Sequence, residues 1–431
     1  MAEAADLEQT VAEQLIARTI GATWLLYAIG GLYIAGPVLG WTLTAMAGWR
    51  YFAGQRLPIA LRPPPLDGSV IVWLLGMAAM LVALLVGHAD QGLGAAATIK
   101  SSVGWAKGWA LLGIYPLAAA ALRIRPEVIY RAVCRLGRQT LILLPLFLVS
   151  PLLHLPAQLY VSPLQVFGGS GPEYFAVVLY TIEPGVGTAR WQFFAPWSPA
   201  AGMVAVVHIL CAIEEQDRRW RAVGIAAGLA LVWFSGSRLA LVNIAVVWPL
   251  AHLVARLGRR WVWWAGAPIA MAAGLFATQL ATAMDDAKAR FRGARVDSSR
   301  VRETLGRIAV DRWRTETPWF GHGIVERGPH LVEYMPIGSH HSWYGLLFVK
   351  GAVGAAALAA PMAYSLYATA RLSLSDKAGR VGFSMIIVLL LYSFGENLEV
   401  LGYLFWPALI LIGVAARTAA ERRSAETLAN S

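Results

Sequence analysis

Long apolar runs separated by short charged loops set the pattern of this chain. Runs of about 17 residues or more, enough to cross a hydrocarbon core ~30 Å thick, recur from end to end. They predict helices over 16–33, 35–51, 68–88, 103–122, 138–157, 195–214, 220–236, 238–257, 261–282, 341–370, 380–396 and 399–417. Residues 16–51 read either as one long tilted helix or as a tight pair broken at Gly36–Pro37. Twelve spans put both chain ends on one side. The expected fold class is all-α: a polytopic membrane protein of about 12 transmembrane helices. It forms a single integral membrane domain over 1–431, with a large outer loop that itself contains helices.

Charge orients the spans. WRYFAGQRLPIALRPPPLDG, RIRPEVIYRAVCRLGRQ, EEQDRRWR, ARLGRRW and ARLSLSDKAGR are basic and fall on one face, as does the tail ARTAAERRSAE. By the positive-inside bias that face is cytoplasmic. The opposite face carries two long loops, 158–194 and 283–340. The second holds ten Lys/Arg against eight Asp/Glu, but long loops are partly exempt from the bias.

Composition agrees with this class. The chain has 431 residues, 58% hydrophobic and only 14% charged, against roughly 25% charged in a soluble domain. Its net charge of +11 belongs to the inner loops of a polytopic chain, so no nucleic-acid partner is expected. The N-terminus is polar and acidic, without the features of a secretory signal peptide. Cys134 and Cys211 fall near cytoplasmic helix ends, so neither a structural disulfide nor a cysteine metal site is expected.

The densest chemistry lies in GSHHSWYGLLFVKGAVG, Gly338 to Gly354. His340 and His341 sit where a polar loop meets an apolar helix, and a titratable pair at a membrane boundary is costly unless used or paired. Capping of the following helix is the structural alternative. His322 and His330 are close enough in sequence to raise a zinc site, but no i,i+4 pair or cysteine supports one. Arg190 and Arg238 both map to the outer face, where a snorkelling helix-end arginine is the plain alternative. The arginines of 286–314 fit a solvated amphipathic helix equally well as an anion site. Glu396 and Glu399 lie at the outer turn between the last two helices, which reads as solvated, with acceptor binding or acid/base work as the alternative. No acidic pair has the spacing for Mg²⁺, and no cofactor is indicated.

Four segments together resemble the O-antigen ligase and polymerase superfamily of bacterial membrane glycosyltransferases. They are Arg190-Trp-Gln-Phe-Phe-Ala-Pro before a helix, Ser235-Gly-Ser-Arg238 opening one, Ser299-Arg300 onward with Pro318-Trp-Phe-Gly-His-Gly323 in the outer loop, and the histidine segment. In that family a His-Asn pair precedes one glycine by eleven residues and a second by three more. His340, Gly351 and Gly354 match that register, and His341 takes the asparagine position. The likeness covers roughly 185–360.

The resemblance implies transfer of a glycan from an undecaprenyl diphosphate carrier to an acceptor hydroxyl at the periplasmic face of the inner membrane. His340 would be the general base and His341 an orienting residue. Arg190, Arg238 and Arg300 would hold the diphosphate without a metal. An O-antigen ligase, whose acceptor is lipid A-core, is favoured slightly over a polymerase that extends a lipid-linked repeat unit. A transporter or flippase of an anionic lipid-linked substrate is the alternative from another class. It fits less well, because charge gathers at one face and not at helix centres.

Overall fold

The structure, a computed structural model, describes residues 10–58, 61–169, 171–183, 187–279, 281–283, 285–286, 296–338 and 341–429. It is mostly helical. The first apolar run splits into α1 (Val11–Gly21) and α2 (Thr23–Ala28), and α3 (Leu32–Ala53) follows. The break expected at Gly36–Pro37 lies instead at Gly30–Gly31, and Pro37 is inside α3. Ser162 explains the position: from the first long loop its hydroxyl donates to Ile29 O at 2.8 Å.

α4 (Gly68–Asp90) agrees with the expected span. The run 103–122 does not, because it forms two helices, α5 (Gly94–Lys107) and α6 (Leu111–Ala121). Main chain of Glu399 occupies the space beside Gly108 where a side chain would start. α7 (Pro126–Val149) begins well before the expected residue 138, so most of the basic stretch 123–139 is helical and not a loop. Pro126 sits in the first turn, where its missing N–H costs nothing. Val128, Ile129, Val133 and Leu136 bury one face, while Arg131 and Arg138 lie over the ring of Trp220.

The first long loop contains two small antiparallel hairpins, β1 (Gln158–Val161) with β2 (Ala176–Val178) and β3 (Thr181–Ile182) with β4 (Ala189–Arg190). These strands are too short to show alternation in sequence. Then come α8 (Ser198–Ile213), α9 (Arg218–Ser235), α10 (Arg238–Val254), α11 (Arg260–Leu275) and, in the second long loop, α12 (Val296–Thr315). The chain finishes with α13 (Ser342–Ser373), α14 (Lys377–Ser393) and α15 (Leu398–Ala429).

Among the described residues four helices are long and apolar enough to cross a membrane: α4, α7, α13 and α15. α11 makes a fifth when joined to the short helix after it, from which it bends by 73°. α6, α8 and α10 are apolar but shorter. α8 and α15 are buried along most of their length and form the centre of the bundle. Tyr115 of α6 stacks on Trp406 of α15 with ring centroids 5.5 Å apart, and its hydroxyl donates to Gly36 O at 2.6 Å.

Helix ends collect at two opposite poles. One is basic and laced with ion pairs: Arg125 at the start of α7 meets Glu13 of α1, and Arg380 of α14 meets Glu214 after α8. The other is covered by the two long loops. Trp197 before α8, the end of α9 and the starts of α10, α13 and α15 all lie there.

Candidate functional site

The covered pole is organised around the start of α13. His341 is the N-cap, its Nδ1 accepting from the main-chain N–H of Trp343 at 3.2 Å and of Tyr344 at 3.3 Å. A neutral imidazole has one donor and one acceptor nitrogen, so an accepting Nδ1 leaves the proton on Nε2. Burial pushes His341 down to about 4, which keeps it neutral. Its ring stacks on Tyr344, centroids 4.1 Å apart, and meets Phe394 edge-on at 5.9 Å. His341 is thus a fixed hydrogen-bond donor, with no lone pair free to accept a proton. For His341 this is the capping of the following helix that the sequence offered as the structural alternative. His340 lies outside the described residues.

Ser342 ties this helix start to the turn between α14 and α15. Its N–H and hydroxyl donate to Glu396 O at 3.2 and 2.7 Å, and Oγ accepts from Leu398 N at 3.0 Å. The solvated turn expected here is corrected: Glu396 is only 5% exposed. Its Oε2 accepts the indole N–H of Trp197 at 2.9 Å. Burial pushes the carboxyl up to about 7, against the opposing pull of Arg302 and the Trp197 hydrogen bond.

A pocket of about 80 Å³ opens beside His341. Arg302 and Gly306 of α12, Gly338, Tyr344 and the Phe394–Gly395 turn complete its walls. A larger space of about 550 Å³ between α10, α13 and α14 has walls such as Val246, Leu366 and Phe383 and offers almost no polar group. Chemistry therefore points to the smaller pocket.

The arginines expected at the site divide into three cases. Arg190 donates to Ser235 O at 2.8 Å and Gly236 O at 3.4 Å and lies 3.7 Å from Glu183. It holds the turn that presents Arg238, which brings two of the sequence motifs into contact. Arg238 opens α10 behind the Ser237 N-cap, and the adjacent Leu239 side chain lies against Gly395 of the pocket turn. Arg300 is exposed, and it is Arg302 that lines the pocket. The signal for Arg302 was present in sequence: α12 buries Val301, Leu305 and Ala309, which places 302 and 306 together on a flanking face.

The two glycines of the histidine segment acquire separate causes. Gly351 has φ +64° and interrupts α13. Pro318–Gly323 fills the interruption like a splint. His322 N and Gly323 N donate to Phe348 O and Val349 O at 2.8 and 2.9 Å, while Ala352 N and Val353 N donate to Pro318 O and Trp319 O at 2.9 and 3.2 Å. Gly354 leaves room for the stem of Lys350, whose Cβ lies where a Gly354 side chain would begin. Lys350 is 3% exposed, and its Nζ is 3.8 Å from Glu399 Oε1. His322 faces Glu316 Oε2 at 2.6 Å and Phe348 O at 3.0 Å, so it belongs to the splint and is not turned toward His341. Arg312 and His322 hold the Glu316 carboxyl down at about 2.

No known family model matches the chain, and no relative is detected among curated proteins.

Proposed function

We propose that this chain is a membrane glycosyltransferase of the O-antigen ligase and polymerase kind. It transfers a glycan from a polyprenyl diphosphate to an acceptor hydroxyl. The observation that carries the reading is the convergence at one pole of a fixed neutral histidine, a pocket-lining arginine and an arginine-bearing helix start, all under two polar loops. Those are the groups an acceptor hydroxyl and a departing diphosphate require.

In this mechanism His340 takes the acceptor proton as the acceptor oxygen bonds to the anomeric carbon. The bond from that carbon to the diphosphate oxygen breaks, and its electron pair leaves on the phosphate. Arg238 and Arg302 stabilise the developing charge, and guanidinium suits phosphate because two N–H groups donate in parallel. His341 donates from Nε2 to the acceptor or to a phosphate oxygen. Arg190 acts through the turn it holds, and Arg300, exposed and outside the pocket walls, has no part in this mechanism. No metal is invoked.

The proposal includes a topology of about twelve crossings of a bacterial inner membrane, with short helices completing those of full length. Both ends of the chain are cytoplasmic, and 158–194 and 283–340 are periplasmic. The His340-to-Gly351-to-Gly354 register resembles the ligase pattern, which polymerases can share, and on that resemblance lipid A-core is the favoured acceptor. Deleting the gene and separating envelope glycans on a gel tests this. Long chains that are no longer attached support a ligase, single repeats without chains support a polymerase, and an unchanged pattern sinks both.

A further inference from the structure

The splint at Gly351 competes with α13 for the helix's own hydrogen bonds. In an unbroken helix Ala352 N would donate to Phe348 O and Val353 N to Val349 O, each to the carbonyl four residues back. Here those two carbonyls accept from His322 N and Gly323 N, and those two N–H groups donate to Pro318 O and Trp319 O. The same four groups serve either the splint or a continuous α13, and a glycine at 351 is free to take the backbone angles of both. His322 pins the splint, and both of its ring nitrogens face acceptors. Nδ1 is 3.0 Å from Phe348 O, which has only lone pairs to offer. Nε2 is 2.6 Å from Glu316 Oε2. Arg312 bonds that carboxylate at 2.8 Å and keeps it ionised, so it too can only accept. A neutral imidazole has a single N–H and satisfies one of these oxygens, whereas an imidazolium satisfies both. The short Nε2 contact is the length of a charge-assisted bond. Thr317 Oγ1, 3.2 Å from Nδ1, accepts as readily as it donates and fits either state. The ring is 5% exposed and stacks on Phe348 with centroids 4.2 Å apart, so little water reaches it to replace a lost partner.

We infer that His322 is a proton-operated latch: as imidazolium it bridges Glu316 and Phe348 O and holds Pro318–Gly323 in the break of α13, and on losing its proton it gives up one of those bonds, the splint withdraws and α13 closes. The latch is engaged at low pH and released as pH rises. α12, which ends just before Glu316, carries Arg302, and α13 begins beside His341, so the splint ties together two walls of the pocket. The inference does not depend on what that pocket binds. Other titratable or charged groups around the ring are Arg312 and Glu326 beside Glu316, His88 of α4, against which Gly323 packs, and Lys350 of α13. His88 meets Leu84 O and Ser101 Oγ at 2.9 Å each. A neutral ring satisfies that pair, donating to the carbonyl and accepting from the hydroxyl, so His88 calls for no second proton.

The test is amide hydrogen exchange of the full chain in lipid nanodiscs at about pH 5.5 and about pH 8.5, on either side of the range in which histidine changes charge. The amides of residues 322 and 323 are read by peptide mass spectrometry, and each rate is referred to the free peptide of the same sequence at the same pH. These two amides are bonded to α13 only while the splint is engaged, so their protection should fall about tenfold or more from the lower to the higher pH. His322→Gln, which takes up no proton, should show the low protection at both. Glu316→Gln should keep protection high at both, because its amide N–H donates to a neutral Nε2 while Nδ1–H stays on Phe348 O. Equal protection of the wild type at the two pH values overturns the inference, as does a pH dependence that survives in His322→Gln or in Glu316→Gln. If His322→Gln does not fold, the wild type and Glu316→Gln decide the matter between them.

Discussion

The two poles of the bundle carry similar chemistry and use it in opposite ways. At the basic pole, cation and carboxylate close on each other. Arg125 reaches both oxygens of Glu13 at 2.9 Å, Arg131 reaches Glu215 at 2.7 and 3.0 Å, and Arg380 and Lys377 share Glu214 at 2.9 and 3.0 Å. Arg422 meets Asp376 at 2.6 Å, and Arg423 meets Asp67. Their hydrogen bonds end on protein. At the covered pole Arg302 lines a pocket, His341 keeps an Nε2 donor beside it, and Glu396 is buried on one indole N–H. Density of charge does not separate the two poles, and the loop over the covered pole has closed pairs of its own, Arg312 with Glu316 and Glu326; what the covered pole adds is the pocket that Arg302 and His341 line. Arg190 shows why the distinction matters, since it sits at the covered pole yet is committed to the carbonyls ending α9.

The sharpest way to break the comparison is His340→Ala. Transfer should fall by about 10²–10⁴-fold while lipid-linked donor still binds, because the proposed mechanism leaves donor binding to the arginines. His341→Asn should retain transfer, since asparagine both caps a helix and donates through its amide. Activity that survives His340→Ala and is lost in His341→Asn would mean the wrong histidine has been chosen. Loss of wild-type transfer in EDTA, restored by zinc or magnesium, would sink the metal-free mechanism.

Arginine replacements come next. Arg238→Ala and Arg302→Ala should each lower transfer by about 10²–10³-fold, with lysine a poor rescue because it lacks the paired donors. Arg380→Ala at the basic pole should leave the rate unchanged and cost about 1.5–3 kcal/mol of stability through its lost bonds to Glu214. Transfer assays beside thermal melts separate the two effects. An Arg380→Ala variant that is stable but inactive would erase the distinction between the poles.

Stability against pH gives a smaller effect of known sign. The folded state holds the Glu396 proton more tightly than the unfolded chain, so this group removes stability as pH rises from 4.5 to about 7. His341 holds its proton less tightly when folded, so stability is lost as pH falls from 6.5 toward about 4. Glu396→Gln should flatten the first dependence and be the more stable protein at about pH 8, while His341→Asn should flatten the second. Melting temperature across this range checks both, and a Glu396→Gln melt parallel to wild type would refute the burial argument.

Topology perturbs the molecule least. Cysteine at Thr315 or Ser339 should react with an impermeant maleimide once the outer membrane is opened, and cysteine at Arg135 only after the inner membrane is lysed. The reverse pattern would exchange the two poles.

Amino-acid order alone determined the all-α class, the apolar helices and the segments that meet at the covered pole, because burial against lipid or protein writes itself as long apolar runs. The family resemblance also singled out Gly351 and Gly354. Local breaks were not legible. The turn at Gly30–Gly31 depends on Ser162, and the interruption at Gly351 is sustained by Pro318–Gly323, a segment from the preceding loop. Nor was the state of the charges. Arg190, Arg300 and Arg302 look alike along the chain, and Glu396 reads as a turn residue in water. Only the tertiary structure decided which cation ends on a carbonyl, which faces solvent and which lines a pocket. Hydrophobicity is a property of a segment, whereas the partner of a charge and the water left around it are set by whatever distant residues fold against it.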